Sequence, residues 1–99
     1  MSEFVVESGK LTVRTDLAEE RVDEFDAACT RMRDETDGDF VVDMTGVGYM
    51  CSRAVGVLAT LWMDLAMSGR RFRIVPSPQV KRLLDMGGLT TVFNLMPGK

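Results

Sequence analysis

The stretch from Val41 to Trp62, VVDMTGVGYMCSRAVGVLATLW, limits the fold of this chain more than any other. Phe40–Met44 lacks the polar alternation of a half-solvated strand, which predicts a central strand buried on both faces. The following loop contains Gly46 and Gly48 and leads to Ser52, where a long apolar helix is predicted to begin. A buried strand, a glycine-containing loop and a helix in this order indicate an α/β fold.

Strand-like and helix-like segments alternate along the rest of the chain. Two short apolar runs joined by Ser8-Gly9 predict a hairpin, and a charged helix with one apolar stripe follows. Arg71–Val75 alternates as a strand near a sheet edge does, and Pro78 suits the first position of a third helix capped by Ser77. The predicted order is ββαβαβα, an α/β fold with helices packed on a mixed sheet, in a single domain spanning residues 1–99.

Capping residues and apolar spacing predict the helix boundaries. Thr15 or Asp16 is expected to cap the first helix. The second helix runs from about Ser52 to Ser68 and ends at Gly69. The third helix stops at Gly87-Gly88, and its predicted apolar side consists of Val80, Leu83, Leu84 and Met86. Thr90 to Met96 is predicted to form a last element, strand or helix.

Composition and charge exclude several classes of function. A net charge of −3 argues against nonspecific nucleic-acid binding, and the lack of histidine excludes Ser-His triads and histidine metal sites. No signal-peptide pattern is present, and the apolar stretch Ala54–Met67 contains Asp64 and is too short to span a bilayer. We therefore expect a cytoplasmic protein without membrane insertion, whose Cys29 and Cys51 are reduced thiols, with Cys29 in the core.

The sequence contains no constellation typical of catalysis. No paired carboxylates adjoin a nucleophile and no glycine-rich loop is suited to phosphate, so we expect no enzyme activity, cofactor or metal. Asp43, the only acid near Ser52 in sequence, is assigned no catalytic role. Arg70, Arg71 and Arg73 form either a solvated edge or a binding patch.

Four stretches in the same order resemble the STAS domain family, in its bacterial anti-sigma-factor antagonist branch. VVDMTGVGYM, SRAVGVLATLW and Gly69 with RFRIV match successive parts of that domain, and the pattern P-x-V-x-R-L-L-x-x-x-G-L is met from Pro78 to Leu89. The resemblance implies a non-catalytic interaction module in a partner-switching circuit that regulates transcription. Its partner would be a serine kinase, also the anti-sigma factor, with the histidine-kinase-like ATPase fold.

The regulatory motif of this chain is divergent. The branch usually reads Asp-Ser-Ser/Thr-Gly, where this chain reads Cys51-Ser52-Arg53-Ala54. A Gly-x-x-Asp site after the second strand reads Thr15-Asp16-Leu17-Ala18 here. The resemblance assigns the phosphoacceptor to Ser52 and partner binding to Gly48, Tyr49, Met50, Cys51, Ser52, Arg53, Gly56 and Met63. The substituted motif also suits a constitutive STAS scaffold subunit of a lipid-transport ATPase complex or signalling assembly, without phospho-switching.

Each of these residues also has a structural alternative. Ser52 would serve as the N-cap of its helix. Arg53 would pair with a phosphate on Ser52, obstruct a kinase built for a small side chain, or point to solvent. Cys51 either has a thiol made reactive by the helix N-terminus and Arg53, or fills a small buried space. Met63 and Met67 would form a partner or homodimer contact, or fill gaps against neighbouring helices.

Overall fold

The computed structural model describes residues 3–7 and 9–87 and confirms the predicted α/β architecture. The strands are β1 (Phe4–Glu7), β2 (Lys10–Val13), β3 (Phe40–Met44) and β4 (Phe72–Pro76). The helices are a short 3₁₀ helix (Glu19–Arg21), α1 (Val22–Glu35), α2 (Ser52–Met67) and α3 (Pro78–Met86). The order ββαβαβα is as predicted, and the element predicted at Thr90–Met96 lies outside the described residues.

The strands form one mixed sheet in the order β1-β2-β3-β4. β1 and β2 form the predicted antiparallel hairpin, in which Glu7 lies opposite Lys10. Gly9 has a φ of 73°, a left-handed conformation that glycine adopts without steric cost. β3 runs parallel to both β2 and β4. The segments that follow β2, β3 and β4 therefore leave the sheet at the same edge.

One face of the sheet packs against α1 and α2. The buried cluster includes Leu11, Val13, Phe40, Val42, Met44, Phe72 and Ile74 of the sheet, Phe25, Cys29 and Met32 of α1, and Leu58 and Leu65 of α2. Val41 and Asp43, the alternate residues of β3, are only partly buried. The prediction that this strand is buried on both faces is therefore wrong. The apolar run of β3 does not require burial on both faces, because a valine tolerates partial exposure and Asp43 has polar partners.

The first helix begins later than predicted. Leu17 forms a parallel bridge with Met50, which keeps the segment around it extended. Helical structure therefore starts only at Glu19, and the prediction that Thr15 or Asp16 caps the first helix is wrong. That prediction relied on local sequence, whereas the bridge joins residues far apart in the chain.

The end of α2 and the start of α3 follow the predicted capping signals. Gly69 has a φ of 73°, and the N–H groups of Gly69 and Arg70 donate to the carbonyls of Ala66 (3.1 Å) and Leu65 (2.8 Å), which makes a Schellman motif. Pro78 begins α3 as predicted. Within the described ranges, none of the helices combines the length and the apolar character that a bilayer crossing requires.

The apolar side of α3 is narrower than predicted. Val80 and Leu84 are buried, but Leu83 and Met86 are 36% and 79% exposed. Val80 and Leu84 share a face because they are four residues apart, whereas Met86, two residues beyond Leu84, lies on another side. The prediction is therefore right for two of the four residues.

Candidate functional site

The N-terminal end of α2 is held by two segments that leave the same edge of the sheet. The N–H of Leu17 donates to the carbonyl of Tyr49 (2.8 Å), and the carbonyl of Leu17 accepts from the N–H of Cys51 (2.9 Å). Asp16 accepts a hydrogen bond from the N–H of Gly48 (2.8 Å). A Cβ on Gly48 would lie 3.1 Å from the Asp16 Oδ1, so the close approach favours glycine. These contacts fix the backbone that leads into the helix.

Asp43 anchors the start of the same loop. Its carboxylate accepts from the N–H (3.0 Å) and the hydroxyl (2.7 Å) of Thr45, and it forms an ion pair with Lys10 (3.5 Å). Burial by itself would raise the pKa of Asp43, but the hydrogen bonds from Thr45 and the charge of Lys10 outweigh it, and the net effect lowers the pKa. Asp43 therefore has a structural part at the base of the loop.

Ser52 does not cap α2. Cys51 holds the N-cap position, and its carbonyl accepts from the N–H groups of Ala54 (3.1 Å) and Val55 (3.2 Å). Ser52 is the first helical residue, it is exposed, and its hydroxyl makes no hydrogen bond with the residues that the structure describes. The N-cap alternative for Ser52 is wrong because the cap lies one residue earlier.

Arg53 has partners that the sequence did not indicate. Its guanidinium donates a hydrogen bond to Glu19 (3.0 Å) and forms a longer ion pair with Asp23 (3.6 Å). The hydrogen bond to Glu19 raises the pKa of the guanidinium. The sequence signal nearest to this contact is the excess of acids around Glu19, which cannot indicate which cation lies close.

Both cysteines are buried and have free thiols. Cys51 is 6% exposed, which agrees with the small buried residue and not with an accessible reactive thiol. Cys29 lies in the core as predicted. Burial, followed by the nearby Asp26 carboxylate, raises the pKa of the Cys29 thiol far above its usual range. Neither thiol is presented for chemistry at the surface.

The outward side of α2 carries a row of exposed residues, which we call the α2 stripe and define as Ser52, Gly56, Met63 and Met67. These residues recur at steps of four or seven and therefore share one side of the helix. Met63 is 60% exposed and Met67 is 88% exposed. The alternative in which the two methionines fill gaps between helices is therefore wrong.

The residues predicted to bind a partner fall into two groups. Six are exposed around the head and outer side of α2: Gly48, Tyr49, Ser52, Arg53, Gly56 and Met63. Met50 and Cys51 are 3% and 6% exposed and pack into the core cluster. These two residues support the loop from beneath.

The exposed groups at the head and outer side of α2 are suited to binding another molecule. Among residues 3–7 and 9–87, no three side chains of His, Cys, Asp or Glu are grouped in a way that could hold a metal ion. The surface offers one hydroxyl at a helix N-terminus, beside small and flexible apolar side chains. Such a surface can contact another protein or accept a phosphate.

Comparison with known proteins agrees with the fold. A family model described as the Mlab STAS domain matches residues 2–97. The 1.59 Å crystal structure of TM1081, a candidate anti-sigma factor antagonist from Thermotoga maritima, is 15% identical, with a TM-score of 0.71 over 93% of this chain and 82% of that one. The NMR structure of TM1081 is 16% identical, with a TM-score of 0.73 over 99% and 82% of the two chains.

At these identities the two solved structures support the fold alone, and the family rests on the sequence model. Comparison with the curated proteins found no significant match. Because the family model spans nearly the whole sequence, the chain belongs to the STAS domain family, in the group described as Mlab.

Proposed function

We propose that this domain is a non-catalytic protein-binding module whose partner docks on the α2 stripe and the neighbouring exposed residues of the loop, Gly48 and Tyr49. Phosphorylation of Ser52 switches that contact. One observation carries the proposal: the Ser52 hydroxyl, relieved of any capping role, is exposed at the head of an exposed apolar stripe. Met63 and Met67 suit an adaptable contact because their side chains are long and flexible.

The position of Ser52 favours a phosphate both chemically and electrostatically. No acceptor among the described residues binds the N–H groups of Ser52 and Arg53. A phosphate there would accept hydrogen bonds from such groups and lie at the positive end of the helix dipole. It would add a charge of about −1.5 to −2 to a neutral stripe. A partner that packs against this stripe would then face a charge that it must desolvate.

The proposed partner is a serine kinase and anti-sigma factor with the histidine-kinase-like ATPase fold. Support comes from the family and from the similarity in fold to TM1081, a candidate anti-sigma factor antagonist. In this scheme the unmodified domain binds the kinase, and the phosphorylated domain releases it. ATP and Mg²⁺ belong to the partner.

Affinity capture from the source cell lysate, read by mass spectrometry, tests the proposal. Wild type and Ser52→Ala should retain a kinase-like ATPase, whereas Ser52→Glu and Met63→Glu should lose it. Met86→Glu is the matched control because Met86 is also exposed but lies on α3. Incubation of the captured complex with labelled ATP should label wild type and not Ser52→Ala. Label that persists on Ser52→Ala, or a partner lost equally with Met86→Glu, would refute the proposal.

A constitutive scaffold subunit of a lipid-transport ATPase complex or of a signalling assembly is the second candidate. Arg53 favours it, because its guanidinium is already held by Glu19 and Asp23 where the antagonist branch has a small side chain. In this case Met63→Glu should still release the partner, but Ser52→Ala and Ser52→Glu should retain the same ATPase equally.

A further inference from the structure

An excess of acidic residues adjoins the α2 stripe. The 3₁₀ helix and α1 together contain seven acids and three arginines, an imbalance larger than the net charge of −3 of the entire chain. Asp23 is 97% exposed, and Asp26 forms no ion pair with any residue that the structure describes. A shallow groove along the outer side of α1 is lined by Glu35, by Arg31, whose charge Glu35 balances (2.7 Å), and by three aspartates, Asp23, Asp26 and Asp34, the last of which is paired with Arg33 (3.3 Å). We call these three aspartates the acidic face.

The acidic face and the α2 stripe form one continuous surface. α1 and α2 pack on the same face of the sheet, and ion pairs join them near both ends of α2. Arg53 reaches Glu19 and Asp23 at one end, and Arg33 of α1 reaches Asp64 (3.0 Å) at the other. A partner that covers the stripe from the α1 side must therefore also meet the acidic face.

We propose that the partner binds this surface with a helix whose apolar side lies along the α2 stripe and whose lysine or arginine side chains reach the acidic face. This inference rests on the proposed function and specifies the chemistry of its partner. The stripe itself is uncharged and gives a helix no preference of sign. The adjacent carboxylates supply that preference, since complementary charges raise association rates and exclude wrong partners.

A second copy of the chain is a less suitable occupant. Residues 70–84 contain five basic residues and no acid, and α3 exposes Lys81, Arg82 and Met86. However, α3 has 9 residues and α2 has 16, so α3 is about 10 Å too short to cover the length of the stripe. Arg70 is also occupied, because its guanidinium donates to the carbonyls of Arg33, Thr36 and Gly38.

Fluorescence anisotropy with two designed helical peptides of about 20 residues tests the inference. Both peptides carry the same leucine stripe, and the flanking positions are lysines in one and glutamates in the other. The lysine peptide should bind about tenfold more tightly at low salt, and this advantage should shrink at about 0.5 M NaCl. Asp26→Lys with Thr30→Lys, which disturbs no ion pair of the described residues, should remove the preference. Met63→Glu should lower the affinity of the domain for both peptides.

The outcomes separate this inference from the proposed function. Three results would overturn the inference that the partner binds with a cationic helix. They are equal affinity for the two peptides, binding of neither peptide, and an unchanged preference in the Asp26→Lys, Thr30→Lys variant. The proposed function would still stand if both Ser52→Glu and Met63→Glu released the captured ATPase and Met86→Glu did not. Self-association of the chain at low salt, abolished by Lys81→Glu with Arg82→Glu, would instead identify a second copy as the occupant and also overturn the inference.

Discussion

Two serines near helix N-termini, Ser77 and Ser52, have opposite environments. Ser77 is 2% exposed, accepts from the N–H of Val80 (3.1 Å) and donates to the carbonyl of Val47. Ser52 is exposed and makes none of these bonds. Both helices follow parallel strands that end at the same edge of the sheet. One serine therefore stabilises the fold, and the other is available at the surface.

The two serines differ because Ser77 holds the N-cap position of its helix, whereas Ser52 holds the position after the N-cap. The backbone conformation at the two caps is the same. The N-cap residues have nearly identical backbone angles, φ −76° and ψ 166° at Cys51 and φ −73° and ψ 165° at Ser77. Pro78 suits the first helical position and so leaves the cap to Ser77. At α2 the cap is Cys51, whose N–H is bound to the carbonyl of Leu17. Ser52 is therefore turned outward.

The strongest test of the comparison is Ser77→Ala against Ser52→Ala. Loss of the Ser77 hydroxyl removes a cap worth about 1 kcal/mol and leaves the buried carbonyl of Val47 unsatisfied, so we expect a total loss of about 2–3 kcal/mol. Ser52→Ala should change the free energy of unfolding by less than about 0.5 kcal/mol. Urea unfolding followed by the fluorescence of the single tryptophan, Trp62, measures both. Similar losses in the two variants would contradict the contrast.

The next largest effect concerns the loop that leads to Ser52. Asp16→Ala should cost about 1 kcal/mol because the N–H of Gly48 loses its acceptor. Gly48→Ala should destabilise the wild type, since its Cβ would lie 3.1 Å from the Asp16 carboxylate, and should cost less in the Asp16→Ala background. A double-mutant cycle by urea unfolding gives the coupling. Strictly additive effects would show that this contact does not hold the loop.

Cys51→Ser should give α2 a side-chain cap of the kind that Ser77 provides to α3. In Cys51→Ser the new hydroxyl can accept from the N–H of Arg53, which no acceptor among the described residues binds, and we expect a gain of about 0.5–1 kcal/mol in the free energy of unfolding. Thermal unfolding of wild type and variant in reducing buffer measures it. Cys51→Ala is the matched control, because it removes the thiol without adding a cap. No difference between the serine and alanine variants would exclude the capping gain.

Acid should weaken the loop through Asp43. The folded-state pKa of Asp43 is lowered, so the stabilisation is fully present above the unfolded value of about 3.9 and is lost as the pH falls through the folded value. Melting temperatures of wild type and Asp43→Asn should therefore differ at pH 6 to 7 and converge below about pH 4. A difference that persists unchanged at low pH would show that the ionised carboxylate is not the cause.

Features set by local sequence were predicted well. Gly69 ends α2, Ser77 with Pro78 starts α3, and the turn at Gly9 joins the hairpin, because each depends on the conformational preference of one or two residues. The order of elements and the family followed from such signals.

Features set by distant contacts were not predicted. Asp16 bonds to Gly48 across 32 positions, and Arg53 bonds to Glu19 across 34. The first contact helps to keep the segment around Asp16 extended, although the sequence predicts that this segment caps a helix. The second contact engages the guanidinium of Arg53, which the sequence places beside a phosphate or in solvent. The one-residue difference between a capping and an exposed Ser52 depends on how Cys51 pairs with Leu17. Residue type and spacing contain no information on such pairings.

A photoreactive amino acid placed at position 63, and separately at position 86, tests the central claim most directly. Both positions are exposed methionines, on α2 and α3 respectively. Irradiation of the source cells should cross-link position 63 to a kinase-like ATPase, and Ser52→Glu should remove that product. Position 86 should give no such product. Cross-linking of the same partner from position 86, or none from position 63, would contradict the assignment of the α2 stripe as the partner surface.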